Sequence, residues 1–154
     1  MQHAVRAALA VLGVVAIAAA LLGCGSPPAA GPLLTVELRG GHCIDGPCGT
    51  TVTLDGDGRV HGATKPPNDL GTVPGDQLRV LDRLIATTDY SIIRSRPFVG
   101  DCPTAFDGQE IVFSFAAPGG VQRIASCDVA IDYGLPLFVA VSTALGPFVP
   151  LPTT

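Results

Sequence analysis

The sequence predicts an α+β domain, a two-layer sandwich in which an antiparallel sheet carries its helices on one face. Three observations lead there. Paired segments alternate apolar and polar residues around Gly-rich turns, another segment repeats apolar residues at helical spacing, and the order is hairpin, helix, hairpin, helix. Hairpins exclude an all-parallel sheet, and half-polar strands require one covered and one wet face.

Residues 33–39, LLTVELR, place Leu34, Val36 and Leu38 on one face and Thr35, Glu37 and Arg39 on the other. That period of two marks a half-buried strand. Residues 50–54, TTVTL, repeat it with Val52 and Leu54 against Thr51 and Thr53. The run DGDG at 55–58 tolerates positive φ and predicts a hairpin turn, with a short returning strand around Val60. Residues 63–75 are rich in Pro, Gly and Asn and read as a loop.

Residues 76–88, DQLRVLDRLIATT, carry Leu78, Leu81, Leu84 and Ile85 at helical spacing, with Arg79, Asp82 and Arg83 opposite. Asp76 suits the positive end of the helix dipole. Residues 90–108 begin apolar and become a long loop. Residues 109–117, QEIVFSFAA, are a strand with Ile111, Phe113 and Phe115 on one face, and PGG turns it toward a partner at 121–127. Residues 135–145 read as a second helix opened by Pro136, where a missing N–H is harmless. A strand is the competing reading, since Val, Phe and Thr favour sheets. The domain is thus expected at 33–145, followed by a Pro-rich tail at 146–154.

The first 32 residues have another character. Arg6 gives a short positive start, and residues 7–22 form an uncharged apolar run suited to a signal peptide rather than a membrane span. The run ends in Leu21-Leu22-Gly23-Cys24, which resembles the lipobox of bacterial lipoproteins. The resemblance implies cleavage after Gly23, a diacylglycerol and an N-acyl lipid on Cys24, and an outward-facing place on the bacterial cell membrane. Several acyl chains on one residue anchor stably where one chain does not. Residues 24–32 follow as an uncharged flexible tether. No other cofactor is expected.

Removing residues 1–23 from the 154 takes one base and leaves 13 acids against 8 bases. No basic run is present, which argues against nucleic acid. The expected partners are the membrane, through the lipid, and an envelope protein or small ligand.

Setting Cys24 aside for lipid leaves Cys43, Cys48, Cys102 and Cys127, an even number that predicts two disulfides outside the cytoplasm. Three pairings are open; the local one, Cys43–Cys48 with Cys102–Cys127, is expected. The stretch from Val36 to Gly62, with its two cysteines, second strand and D-G-x-V turn, is also similar to the opening of a family of small bacterial domains. That resemblance implies strand, Cys-bearing loop, hairpin, helix and second hairpin over residues 33–145, and transfers no activity. Here the cysteine spacing is one longer, and Gly49 and Thr51 stand where Pro and an aromatic are usual.

Catalytic motifs are sparse. His42, Cys43, Cys48 and His61 offer zinc-type donors, but Cys-x4-Cys is loose for zinc. A calcium loop at Asp55 and Asp57 fails at Arg59 and Pro66. Neither cysteine pair has the redox Cys-x-x-Cys spacing, and no Gly-x-Ser-x-Gly, Ser-x-x-Lys or His-Glu-x-x-His occurs. The sequence therefore predicts a non-catalytic binding or structural module. The loop pinned by Cys102 makes Arg94, Arg96, Asp101 and Asp107 candidate binding residues. The alternatives are a hydrolase using His42 or His61 with Asp45 or Asp57, and a carrier holding an apolar ligand between helices and sheet.

Overall fold

The structure, a computed structural model, describes residues 31–43, 46–63 and 68–152, with side chains outside 42–47. The expected signal segment, Cys24 and Asp45 lie outside the described residues.

The chain runs β1 (Pro32–Gly40), β2 (His42–Cys43), β3 (Gly46–Pro47), β4 (Thr50–Asp55), β5 (Arg59–Gly62), β6 (Asn68–Thr72), α1 (Gly75–Thr87), α2 (Tyr90–Arg94), a 3-10 turn (Pro103–Phe106), β7 (Gln109–Ala117), β8 (Gly120–Ala125) and α3 (Pro136–Leu145). Six strands form one antiparallel sheet in the order β6-β5-β4-β1-β7-β8, and β2 and β3 form a separate small ribbon. The architecture is α+β with three helices rather than two.

Register explains the layers. Leu34 lies between Leu54 and Phe115, Val36 between Val52 and Phe113, and Phe113 pairs with Ile124. Strand alternation therefore puts all of them on one face. They join Leu81 and Ile85 of α1, Tyr90 and Ile93 of α2, and Leu137, Phe138 and Val141 of α3 in one buried cluster. At its centre the Phe113 and Phe115 rings stack 5.9 Å apart, and Phe138 meets them edge-on at 5.2 and 6.2 Å. Such pairs add about 0.5–1.5 kcal/mol each beyond their buried area.

The ends of the elements follow local chemistry. The β4–β5 turn closes with Gly58 N–H donating to Asp55 C=O, and Gly58 takes φ 90°. Thr88 ends α1 by donating its hydroxyl to the Leu84 carbonyl at 2.6 Å. Asp89 opens α2, its carboxylate accepting from the Ser91 N–H and hydroxyl. Those bonds favour the charged form and hold the Asp89 pKa below its ordinary value.

Several expectations are corrected. The loop expected at 63–75 contains β6, an edge strand of low β propensity held by backbone pairing to β5. The loop expected after Tyr90 contains α2 and the 3-10 turn. The expected tail is partly core: Val149 is buried, and Ser142 donates to the Pro152 carbonyl. Among the described residues one disulfide is found at bonding distance, Cys102–Cys127 with Cα atoms 5.2 Å apart, where two were expected. The Cys43 side chain lies outside the described residues. In the chain-entropy model the 25-residue separation of the observed bond corresponds to about 3.5 kcal/mol of stabilisation.

Both tyrosines of the chain face the apolar cluster. Burial pushes the Tyr90 phenol up to about 12 against the opposing charge of Arg94, and burial also raises Tyr133. The folded state then keeps protons that the unfolded state releases near pH 10. Stability is accordingly fully present below about pH 10 and falls as pH rises toward 12. Denaturant midpoints at stepped alkaline pH, with tyrosinate absorbance at 295 nm as the second readout, check this: the midpoint is expected to fall while the absorbance lags that of the unfolded chain.

Candidate functional site

The sheet face opposite the helices carries the polar residues. Successive pairings line up Asp69 of β6, His61 of β5, Thr53 of β4, Thr35 of β1, Ser114 of β7 and Arg123 of β8 in one row across all six strands. At about 4.8 Å between strands the row spans about 24 Å. An acid stands at one end, a base at the other, and three hydroxyls lie between. The Thr35 and Thr53 hydroxyls approach to 3.4 Å.

His61 is the best-positioned group on this face. Its Nε2 lies 2.7 Å from Asp55 Oδ2. Thr53 faces His61 directly, and Asp55, two residues beyond Thr53 on the same face, reaches the ring diagonally. An ionised carboxylate only accepts, so Nε2 carries the proton and Nδ1 is the acceptor of the neutral ring. A shallow groove of about 360 Å³ is lined by Thr53, His61, Gly62 and Ala63. Through Ala63 it adjoins a second, of about 220 Å³, that includes Glu37, Arg39 and Thr51. Arg39 donates to Glu37 there.

Of the expected acids, the described Asp57 is not the one observed at His61. Asp57 serves its own turn, accepting from the Arg59 N–H at 3.1 Å and facing its guanidinium at 3.5 Å. Asp45 and the His42 side chain lie outside the described residues. Asp55 could have been found by projecting the hairpin register, because it shares a strand face with Thr53 and sits one step diagonal to His61.

The four candidate binding residues divide into separate places. Arg94 donates to Gln122 at 2.6 Å, and Arg96 to Asp132 at 3.1 Å. Asp101 is exposed beside the disulfide, and Asp107 closes the 3-10 turn at φ 60°. Gln122 pairs with Phe115, whereas Asp107 precedes Gln109, so Arg94 and Asp107 are about 20 Å apart along the strand direction.

No family model, curated protein or solved structure matches this chain.

Two chemical arrangements are therefore weighed on their own geometry. The first is hydrolytic: His61 oriented by Asp55 is a base with its orienting acid. Among the described residues no serine, threonine or cysteine side chain hydrogen-bonds to His61, so that pair has no nucleophile attached. The second is recognition, for which the open row supplies donors and acceptors at fixed spacing. Among the described residues no group of three His, Cys, Asp or Glu side chains could hold a metal. On the other layer, a groove of about 430 Å³ runs between α1 and α3, lined by Val80, Leu84, Val139 and Ala140 with Asp76 and Gln77 at one side. Its lining is entirely helical, so it lies beside α1 and not between helix and sheet.

The His61–Asp55 contact is partly shielded, with side-chain exposures of 32% and 17%. A double-mutant cycle with His61→Ala and Asp55→Ala is expected to give a coupling energy of about 0.5–1.5 kcal/mol. The same cycle with Asp57→Ala in place of Asp55→Ala is expected to give a value near zero.

Proposed function

We propose that this chain is a lipid-anchored lipoprotein of the bacterial cell envelope. Its α+β domain is an outward-facing, non-catalytic binding or structural module. The observation that carries the reading is the Leu21-Leu22-Gly23-Cys24 sequence after an uncharged apolar run. The Cys102–Cys127 disulfide supports it, because such bonds persist in oxidising compartments. With Cys24 lipidated, Cys48 would pair with Cys43 to close the short loop between β1 and β4. Binding is favoured over catalysis by the His61–Asp55 pair, which meets hydroxyl rows rather than an attached nucleophile. Among the described residues the alternative hydrolase reading has one His–acid pair, His61 with Asp55.

The address is tested by expressing the full chain in a bacterium and taking intact and peptide masses from the membrane fraction. The wild type is expected to begin at Cys24, with the mass of a diacylglycerol on its sulfur. Cys24→Ala is expected to lose that mass and to keep residues 1–23. An unmodified Cys24, or wild type retaining Met1, contradicts the proposal.

A further inference from the structure

We propose that the free edge of β8 binds an extended peptide, which adds as a seventh strand and places a carboxylate between Arg94 and Arg123. The inference rests on the binding reading above and names the ligand class.

The backbone of β8 has the right parity. The Ser126 N–H donates to the Ile111 carbonyl at 2.9 Å, so 111 and 126 are a hydrogen-bonded pair. Antiparallel ladders alternate, so Ile124 and Gln122 also bond toward β7. Val121, Arg123 and Ala125 then point their N–H and C=O groups away from the sheet. The Ala125 carbonyl is taken by the Asp128 and Val129 N–H groups, each at 3.0 Å. What remains is a short ladder, the N–H and C=O groups of Val121 and Arg123, on the last strand of the sheet. The turn at Asp128 and Val129 closes one end of it.

A pocket of about 220 Å³ sits at that closed end, lined by Arg94, Arg123, Ala125, Asp128 and Val129. Ala125 and Val129 are buried and make its floor. Two guanidiniums face one carboxylate, which leaves a positive excess on a chain of net charge −4. Arg123 is paired with Asp128 at 2.8 Å. Arg94 donates to the neutral Gln122, which uses one of its five donors. Its Cζ lies 6.0 Å from the Tyr90 ring centroid, and that ring backs the guanidinium. Strand addition supplies affinity through the main chain, and the pocket selects a side chain or chain end. A carboxylate suits the pocket because Arg forks bind carboxylates in two-point fashion. Charged residues on an edge also deter aggregation; that role alone predicts no bound peptide.

The full chain in detergent is probed with a random library of peptides about ten residues long, the length of a long strand. One set has a free terminal carboxylate and one is amidated. Retained peptides are expected to carry a carboxylate, and the two sets show whether it is the chain end or a side chain. Arg94→Ala is expected to weaken the best peptide by about tenfold or more, as loss of a charge-assisted bond implies, and Arg94→Lys by less. Methylating alternate peptide nitrogens of that peptide is expected to abolish binding in one frame and spare it in the other. Retention of no peptide, retained peptides without carboxylates, equal tolerance of both methylation frames, or undiminished binding to Arg94→Ala overturns the proposal. The mass at Cys24 is independent of all these outcomes.

Discussion

The fold depends on one constraint: a single face of a six-stranded sheet must be covered by three helices, and the aromatic cluster of Phe113, Phe115 and Phe138 is where the layers join. The three rings are at most 1% exposed. Burying a Phe side chain stabilises by about 1.5–3 kcal/mol, so this junction is a large part of any small domain's margin. The central position of β1 and β7 follows. They supply Leu34, Val36, Phe113 and Phe115 to the same patch, and every other element is placed by its distance from it. Tyr90 extends the cluster to α2 through Phe115, at 5.7 Å.

Because one face is committed to packing, the other carries most of the polar side chains, with Val112 and Ala125 buried on it, and that asymmetry shapes the candidate site. The polar row from Asp69 to Arg123 is the same alternation that builds the core, seen from the other side. His61 can hold Asp55 without disturbing any apolar contact, and the hydroxyls of Thr35 and Thr53 are neighbours by register. The sheet also keeps two edges. One is β6, the run Asn-Asp-Leu-Gly-Thr, and the other is β8, where Arg94 and Arg123 gather beside unpaired backbone.

Much of this is legible in the chain before any coordinates. Alternation over LLTVELR and the β-forming run QEIVFSFAA identify β1 and β7, the latter with the observed bounds, and Leu78, Leu81, Leu84 and Ile85 place α1 to within one residue. Pro136 correctly opens α3, where the competing strand reading rested on β-branched residues. What is missed has a physical cause. β6 has no apolar period because its side chains are largely exposed and its backbone pairs with β5. α2 is five residues long, too short for a period, though Asp89 before it is a cap signal that could have been read. Asp55 as the partner of His61 follows only once the β4–β5 register is known, because register decides which strand face each residue occupies. Local pairing of the cysteines predicts Cys102–Cys127, the disulfide found among the described residues.

The central claim is that the layers are held through β1 and β7 and that stability decreases toward the sheet edges. Native-state hydrogen exchange resolved by residue tests it most directly. The slowest amides are expected in β1 and β7, with β4 next and β6 and α2 exchanging by local opening. Protection in β6 equal to that of β1, or in α1 exceeding that of β7, would show that the helices or the edge, and not the central strands, hold the domain together.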